Sequence, residues 1–114
     1  MARYKMLVLS RPMPGKEDEY NDWYQNTHLQ QVVSIPGYVS AQRFKMAVNM
    51  RGEDVWPYMA IYEIETDDVA AAYKALEAAA GDGSIAVSSA FDYASVYASV
   101  YEPHGVLISQ ASIR

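Results

Sequence analysis

Two hydrophobic periods alternate along this chain, and the switches between them outline six elements. Residues 4–11 (YKMLVLSR) hold three consecutive apolar side chains, Leu7, Val8 and Leu9, as in a strand covered on both faces. Pro12, Pro14 and Gly15 then stop it. From Lys16 the period changes. Tyr20, Trp23, Tyr24, Thr27 and His28 recur at i, i+3, i+4, i+7 and i+8, so they share one face of a helix. Glu17, Asp18, Glu19 and Asp22 put negative charge in its first turns, where the helix dipole favours it. A looser turn over residues 30–34 and then Pro36-Gly37 end this helix.

Residues 38–48 (YVSAQRFKMAV) return to period two, with Ser40, Gln42, Phe44 and Met46 on one face and Ala41, Arg43, Lys45 and Ala47 on the other. Residues 49–53 supply a hairpin connection. Residues 57–65 (PYMAIYEIE) predict a third strand, with Pro57 confined to its start. Thr66 is placed to cap a second helix, followed by Asp67 and Asp68 in its first turn. Val69, Tyr73, Leu76 and Ala80 form its apolar stripe, and Gly81 supplies the stop. Residues 85–92 carry no clear period. Residues 93–102 (YASVYASVYE) are β-branched and aromatic and predict a fourth strand, ended by Pro103 and Gly105. Residues 106–114 form a short, strand-like tail.

The order is β-α-β-β-α-β. It predicts an α+β, ferredoxin-like domain over residues 1–114, with a four-stranded antiparallel sheet and both helices on one face. The other face of the sheet is left bare. An apolar face needs a cover, and a two-fold copy of the same chain is the commonest closed solution. A homodimer is therefore expected.

Composition narrows the function classes. The chain has 114 residues, enough for one compact domain with a core that needs no staples. It has no cysteine, which removes disulfides, thiolate nucleophiles and cysteine metal sites and fits a cytoplasmic location. No apolar run approaches a membrane span, and the start runs straight into a strand without a signal-peptide pattern. The net charge of −5 argues against nucleic acid, whose phosphates need a basic face. Ten tyrosines offer apolar bodies with polar tips, suited to a pocket wall or an interface. The expected partner is a small molecule, with no membrane and no nucleic acid.

The run Trp23-Tyr24, then His28-Leu29, then Ile35-Pro36-Gly37, leading into strand, hairpin, strand and a Thr-capped helix, resembles the EthD-like members of the dimeric α/β-barrel superfamily. The resemblance follows the element order over nearly the whole chain. It implies two sheets packed into a barrel, with a pocket in each protomer between sheet and helices. Relatives include polyketide cyclases similar to olivetolic acid cyclase, muconolactone-type isomerases, and haem-degrading or quinol monooxygenases.

His28 is one of two histidines and the only early residue whose unperturbed pKa permits proton exchange near neutral pH. Counted back from Ile35-Pro36, it falls where the cyclases resembled here carry a catalytic aromatic. A histidine there can abstract a proton alpha to a carbonyl or activate water; a structural role at a helix C-terminus is the alternative. Counted from Thr66, Tyr73 falls where those cyclases carry a pocket tyrosine, able to donate to an oxyanion. Its place on the core stripe equally fits pure packing. Tyr24 is expected close by. The cyclases' histidine after the second helix has no counterpart in residues 78–83, and their first-strand histidine is replaced by Lys5 nearby, so their mechanism does not transfer intact. Lys5, Arg11 or Arg43 can hold a substrate carboxylate, or be solvated strand-end charges. His104 can reach the pocket or sit in a surface turn. No ligand cluster predicts a metal or haem, and there is no phosphate loop, nucleophile elbow or dinucleotide fingerprint.

These residues predict a small cofactor-free enzyme with His28 as general acid/base on a compact aromatic-derived carbonyl, lactone or dienoate. Isomerisation, cyclisation, decarboxylation and ester or lactone hydrolysis all fit that machinery. A non-catalytic binding protein and a cofactor-free quinol monooxygenase are the alternatives.

Overall fold

The computed structural model describes residues 1–113. Strand β1 (Ala2–Ser10) runs through the middle of a four-stranded sheet. It pairs antiparallel with β3 (Tyr58–Thr66) on one side and with β4 (Tyr97–Tyr101) on the other. Strand β2 (Tyr38–Lys45) borders β3, which completes the order β2-β3-β1-β4. The first helix runs as Glu17–Trp23, passes through a π turn at Tyr24–His28 and finishes as Leu29–Val32. The second helix is Val69–Gly81. The chain is thus an α+β, ferredoxin-like βαββαβ fold, as its periodicity predicts.

Alternation decides which sheet face is buried. Met6, Val8 and Ser10 of β1 and Tyr58, Ala60, Tyr62 and Ile64 of β3 point into the core. There they meet Tyr20, Tyr24, Leu29 and Val32 of the first helix and Ala72 of the second. Tyrosine does much of the filling, and a buried hydroxyl needs a partner. Tyr20 and Ser10 share a 2.6 Å hydrogen bond that ties the first helix to β1. The Tyr38 hydroxyl donates to the Ala72 carbonyl at 2.8 Å and ties β2 to the second helix. Tyr58 donates to the Glu17 carboxylate and accepts from Asn21. Gly37 adopts φ +95°, and a Cβ there would come within 3.3 Å of the Glu65 carbonyl. The close approach lets the Glu65 N–H donate to the Gly37 carbonyl at 2.8 Å, which anchors the end of the first helix to β3.

Several expected boundaries move for identifiable reasons. Strand β2 stops at Lys45 rather than residue 48: after the Met46 N–H donates to the Pro57 carbonyl, Pro57 has no N–H to return. Residues 93–96 belong to a turn rather than to the fourth strand. The Asp92 carboxylate accepts from Ala94 N and Ser95 Oγ, and Trp56 Nε1 takes the Ser95 carbonyl. Thr66 closes β3 instead of capping the second helix. The cap is Asp68, whose carboxylate accepts from Ala71 N at 3.1 Å. The tail is exposed and ends in a 3₁₀ turn at Gln110–Ile113 instead of a strand; Arg114 lies outside the described residues.

The outer sheet face divides in two. At one end Arg3 pairs with Glu65 at 2.9 Å and Lys5 with Glu63. At the other, Leu7 and Leu9 sit opposite Ile61 and Met59, with Phe44 beside Met59 and Tyr97 beside Leu9. None of the four central residues is fully buried, and Phe44 and Tyr97 are exposed.

Candidate functional site

Between the inner sheet face and the two helices lies a cavity of about 240 Å³. Its floor is Met6 and Val8 of β1, Tyr62 of β3 and Ala98 of β4; its helical walls are Trp23, Tyr24, His28, Val32 and Leu76. Ile85, Phe91, Tyr93 and Val96 close the remaining side. Ile85 and Phe91 belong to the segment whose sequence carries no clear period, and Tyr93 and Val96 to the start of the expected fourth strand. Residues 85–92 are held by backbone rather than by a regular element: Pro12 and Phe91 form an isolated antiparallel bridge, and Met13 N donates to the Ala90 carbonyl at 2.7 Å. The Gln31 side chain accepts from Ala86 N at 2.7 Å and so links this segment to the first helix.

The π turn spans the residues that matter most in the wall. It begins at Tyr24 and ends at His28, and such insertions recur at functional sites. The His28 ring stacks on Trp23 at 4.6 Å and meets Tyr24 edge-on at 5.1 Å. Burial lowers its pKa from 6.5 to about 4, because an imidazolium would lose its hydration there with no acidic partner. The ring is therefore neutral at pH 7, with a lone pair on one nitrogen and a proton on the other. Its Nδ1 is buried without a hydrogen-bond partner, as are Trp23 Nε1 and the Tyr62 hydroxyl. Burial likewise pushes Tyr24 up to about 12 and raises Tyr62, which lies beside the Tyr24 hydroxyl.

The other sequence candidates are dispersed. Tyr73 is 51% exposed and does not line the cavity. The stripe that faces the sheet is Val69, Ala72, Leu76 and Ala79, which turns Tyr73 outwards beside Glu77, whose carboxylate raises the phenol pKa. Lys5 pairs with Glu63 on the opposite sheet face, in a groove with Arg3 and Tyr101. Arg11 lies over Trp56 at 5.6 Å and donates to the Asp54 carbonyl. Arg43 donates to Asn21 at 2.6 Å and rests 4.6 Å from the Tyr24 ring, packed among Tyr20, Tyr24 and Tyr58; it buttresses the wall without lining it. His104 is exposed in the turn after β4. Of the predicted set, the structure places only His28 and Tyr24 in the cavity wall. Tyr62 was not singled out by sequence, although its inward register in the alternating β3 pattern marks it.

No family model matches the chain. Thirty-seven per cent identity over 62 residues links it to core atranone cluster protein 1 of Stachybotrys chlorohalonatus, covering 53% of this chain and 25% of that protein. The chain thus spans about a quarter of the length of that relative. Solved structures match far more completely. A Bacillus halodurans C-125 protein of the ethyl tert-butyl ether D (EthD) family superposes with a TM-score of 0.51 at 18% identity, covering 90% of this chain and 99% of that one. The chain shares the ferredoxin-like fold of that protein. A Shewanella loihica PV-4 protein provisionally called a monooxygenase gives a TM-score of 0.60 at 13% identity, over 92% of this chain and 97% of the other. Among the described residues, no helix is long and apolar enough to cross a membrane.

Proposed function

We propose that this EthD-type chain is a small enzyme that moves a proton on a carbonyl compound or lactone held in the 240 Å³ cavity, with His28 as the acid–base group. The observation that carries the reading is a half-buried, neutral imidazole in the wall of a largely apolar cavity. A neutral ring accepts a proton from an acidic C–H or O–H of the substrate, and returns it at a second position or to water. The aromatic walls exclude water and hold a flat substrate against the ring. Isomerisation, cyclisation and lactone opening share this step.

The test is turnover of enolisable ketones and lactones by wild type and His28→Ala. A positioned acid–base group contributes about 10²–10⁴-fold to rate, and kcat is expected to fall by that factor. Tyr73→Phe should leave kcat unchanged, given its outward position. A substrate that the wild type converts, and His28→Ala converts equally fast, refutes the role. The binding-protein reading draws on the same cavity, since His28 is the only side chain in its wall with an unperturbed pKa near neutrality. It predicts ligand retention with no turnover by either protein.

We also propose that the apolar end of the outer sheet face is covered by a second copy of the chain. Leu7, Leu9, Met59, Ile61, Phe44 and Tyr97 form one continuous patch there, of a kind that seldom stays in water.

A further inference from the structure

The segment after β4 carries apolar side chains that no part of the chain covers. Val106 is 83% exposed, Leu107 92%, Ile108 68% and Ile113 73%. Single apolar residues scattered over a surface are ordinary, but four large ones within eight residues are not. The segment is also detached. Among the described residues, 103–113 hydrogen-bond only to one another, through Ser109 and Ser112. Its composition is nevertheless that of a strand. Val106 and Ile108 are β-branched, and no Asp, Glu, Lys or Arg occurs from Pro103 to Ile113.

The sheet offers such a strand a place. Strand β2 is an edge that pairs with β3 alone, so the backbone groups of Tyr38–Lys45 that face away from β3 have no strand to meet. An edge of that length is normally blunted or covered. The root of the tail points to whose β2 it meets. Tyr101, Glu102 and Pro103 flank the Arg3–Glu65 and Lys5–Glu63 pairs in a groove on the outer sheet face. The tail therefore leaves the chain on the face that a second copy covers in the reading above, away from the helices. In its own chain β2 lies beyond β1 and β3, and the tail does not reach it. Packed sheets lie about 10 Å apart, and six extended residues span about 20 Å, so the tail is long enough to cross to the second sheet.

We infer that residues 105–109 add as a fifth strand to the β2 edge of a second copy of the chain, each protomer clasping the other. The inference rests on the outer face being the contact between copies, as proposed above. Backbone hydrogen bonds to the free edge hold the tail, and Val106, Leu107 and Ile108 gain the cover that a single chain does not give them. A two-fold axis makes the exchange reciprocal, so both tails and both edges are satisfied together.

Sedimentation equilibrium and disulfide trapping, both on the full chain, test this. Leu107→Glu should weaken self-association at least about 100-fold, because each of two tails loses a buried leucine and each loss counts for about tenfold or more. Leu107 lies outside the core, so the circular dichroism spectrum should match that of wild type. The chain has no cysteine of its own, so an introduced thiol reports one position. Leu107→Cys and Ile108→Cys, which point to opposite faces of a strand, are each mixed with Ser40→Cys, Gln42→Cys or Phe44→Cys and oxidised with diamide. A mixed disulfide should accumulate for at least one pair, well above the level that either variant reaches alone, since the bond forms only between closely placed Cβ atoms. Unchanged association in Leu107→Glu, or no mixed disulfide from any pair, overturns the inference while leaving the outer-face dimer standing. A monomeric wild type overturns both.

Discussion

His28 should make this protein acid-labile by an amount that one substitution can isolate. Its pKa falls from 6.5 to about 4 on burial. Above pH 6.5 the ring is neutral in both the folded and unfolded chain, and its contribution to stability is complete. Below 6.5 the unfolded chain binds a proton that the folded chain refuses, so stability falls until about pH 4, where the folded ring protonates too. Two and a half units at about 1.36 kcal/mol each set a ceiling of about 3 kcal/mol. The ring is only partly buried by residue exposure, which makes about 2 kcal/mol the expected loss. Against a typical net stability of about 5–15 kcal/mol this is substantial. His28→Phe keeps a ring against Trp23 and removes the titration. It also removes the unpartnered Nδ1, so it should be neutral or stabilising at pH 7. Urea unfolding at pH 7, 6, 5 and 4, at one protein concentration, gives the comparison. The loss from pH 7 to 4 should be smaller in His28→Phe by about 2 kcal/mol. Carboxylates that resist protonation, such as Asp82 beside Ser84, contribute equally to both proteins and cancel. Parallel pH dependences in the two proteins would refute the burial argument.

The same lowered pKa sets the pH–rate profile: kcat/KM should rise through about pH 4 and be flat by pH 6, whereas a midpoint near 6.5 would show an unburied ring. At pH 5 roughly 90% of such a ring is neutral, against roughly 3% for an ordinary histidine. Asp68→Ala should cost about 1 kcal/mol by losing the cap on Ala71 N, with Thr66→Ala costing less, as measured by chemical denaturation. Sedimentation equilibrium at micromolar concentration should find a dimer in the wild type and a shift towards monomer in Ile61→Glu, which puts a charge in the middle of the apolar outer patch; a stable wild-type monomer would sink the proposed assembly.

The order of elements was legible because it depends on local periods. Residues 4–11 and 57–65 alternate or run apolar as strands do, and Tyr20, Trp23, Tyr24 and His28 return at helical spacing whatever the rest of the chain does. Those periods also put His28 and Tyr24 on an inward face, where both are found. Tyr73 shows the limit of the same reasoning. A stripe four residues long is compatible with two adjacent faces, and the close approach of Ala72 to β2, with its carbonyl bonded to Tyr38, chose the face that turns Tyr73 outwards. Strand β4 was overrun because its first residues look β-forming, yet Asp92 and Trp56 claim their backbone groups first. The electrostatic character of the candidate site was not legible. The absence of charge from the cavity wall among the described residues and the burial that keeps His28 neutral each depend on groups distant in sequence. Periodicity reports which way a side chain points along its own element. Desolvation and hydrogen bonding are set by what packs against it, and only the tertiary structure decides that.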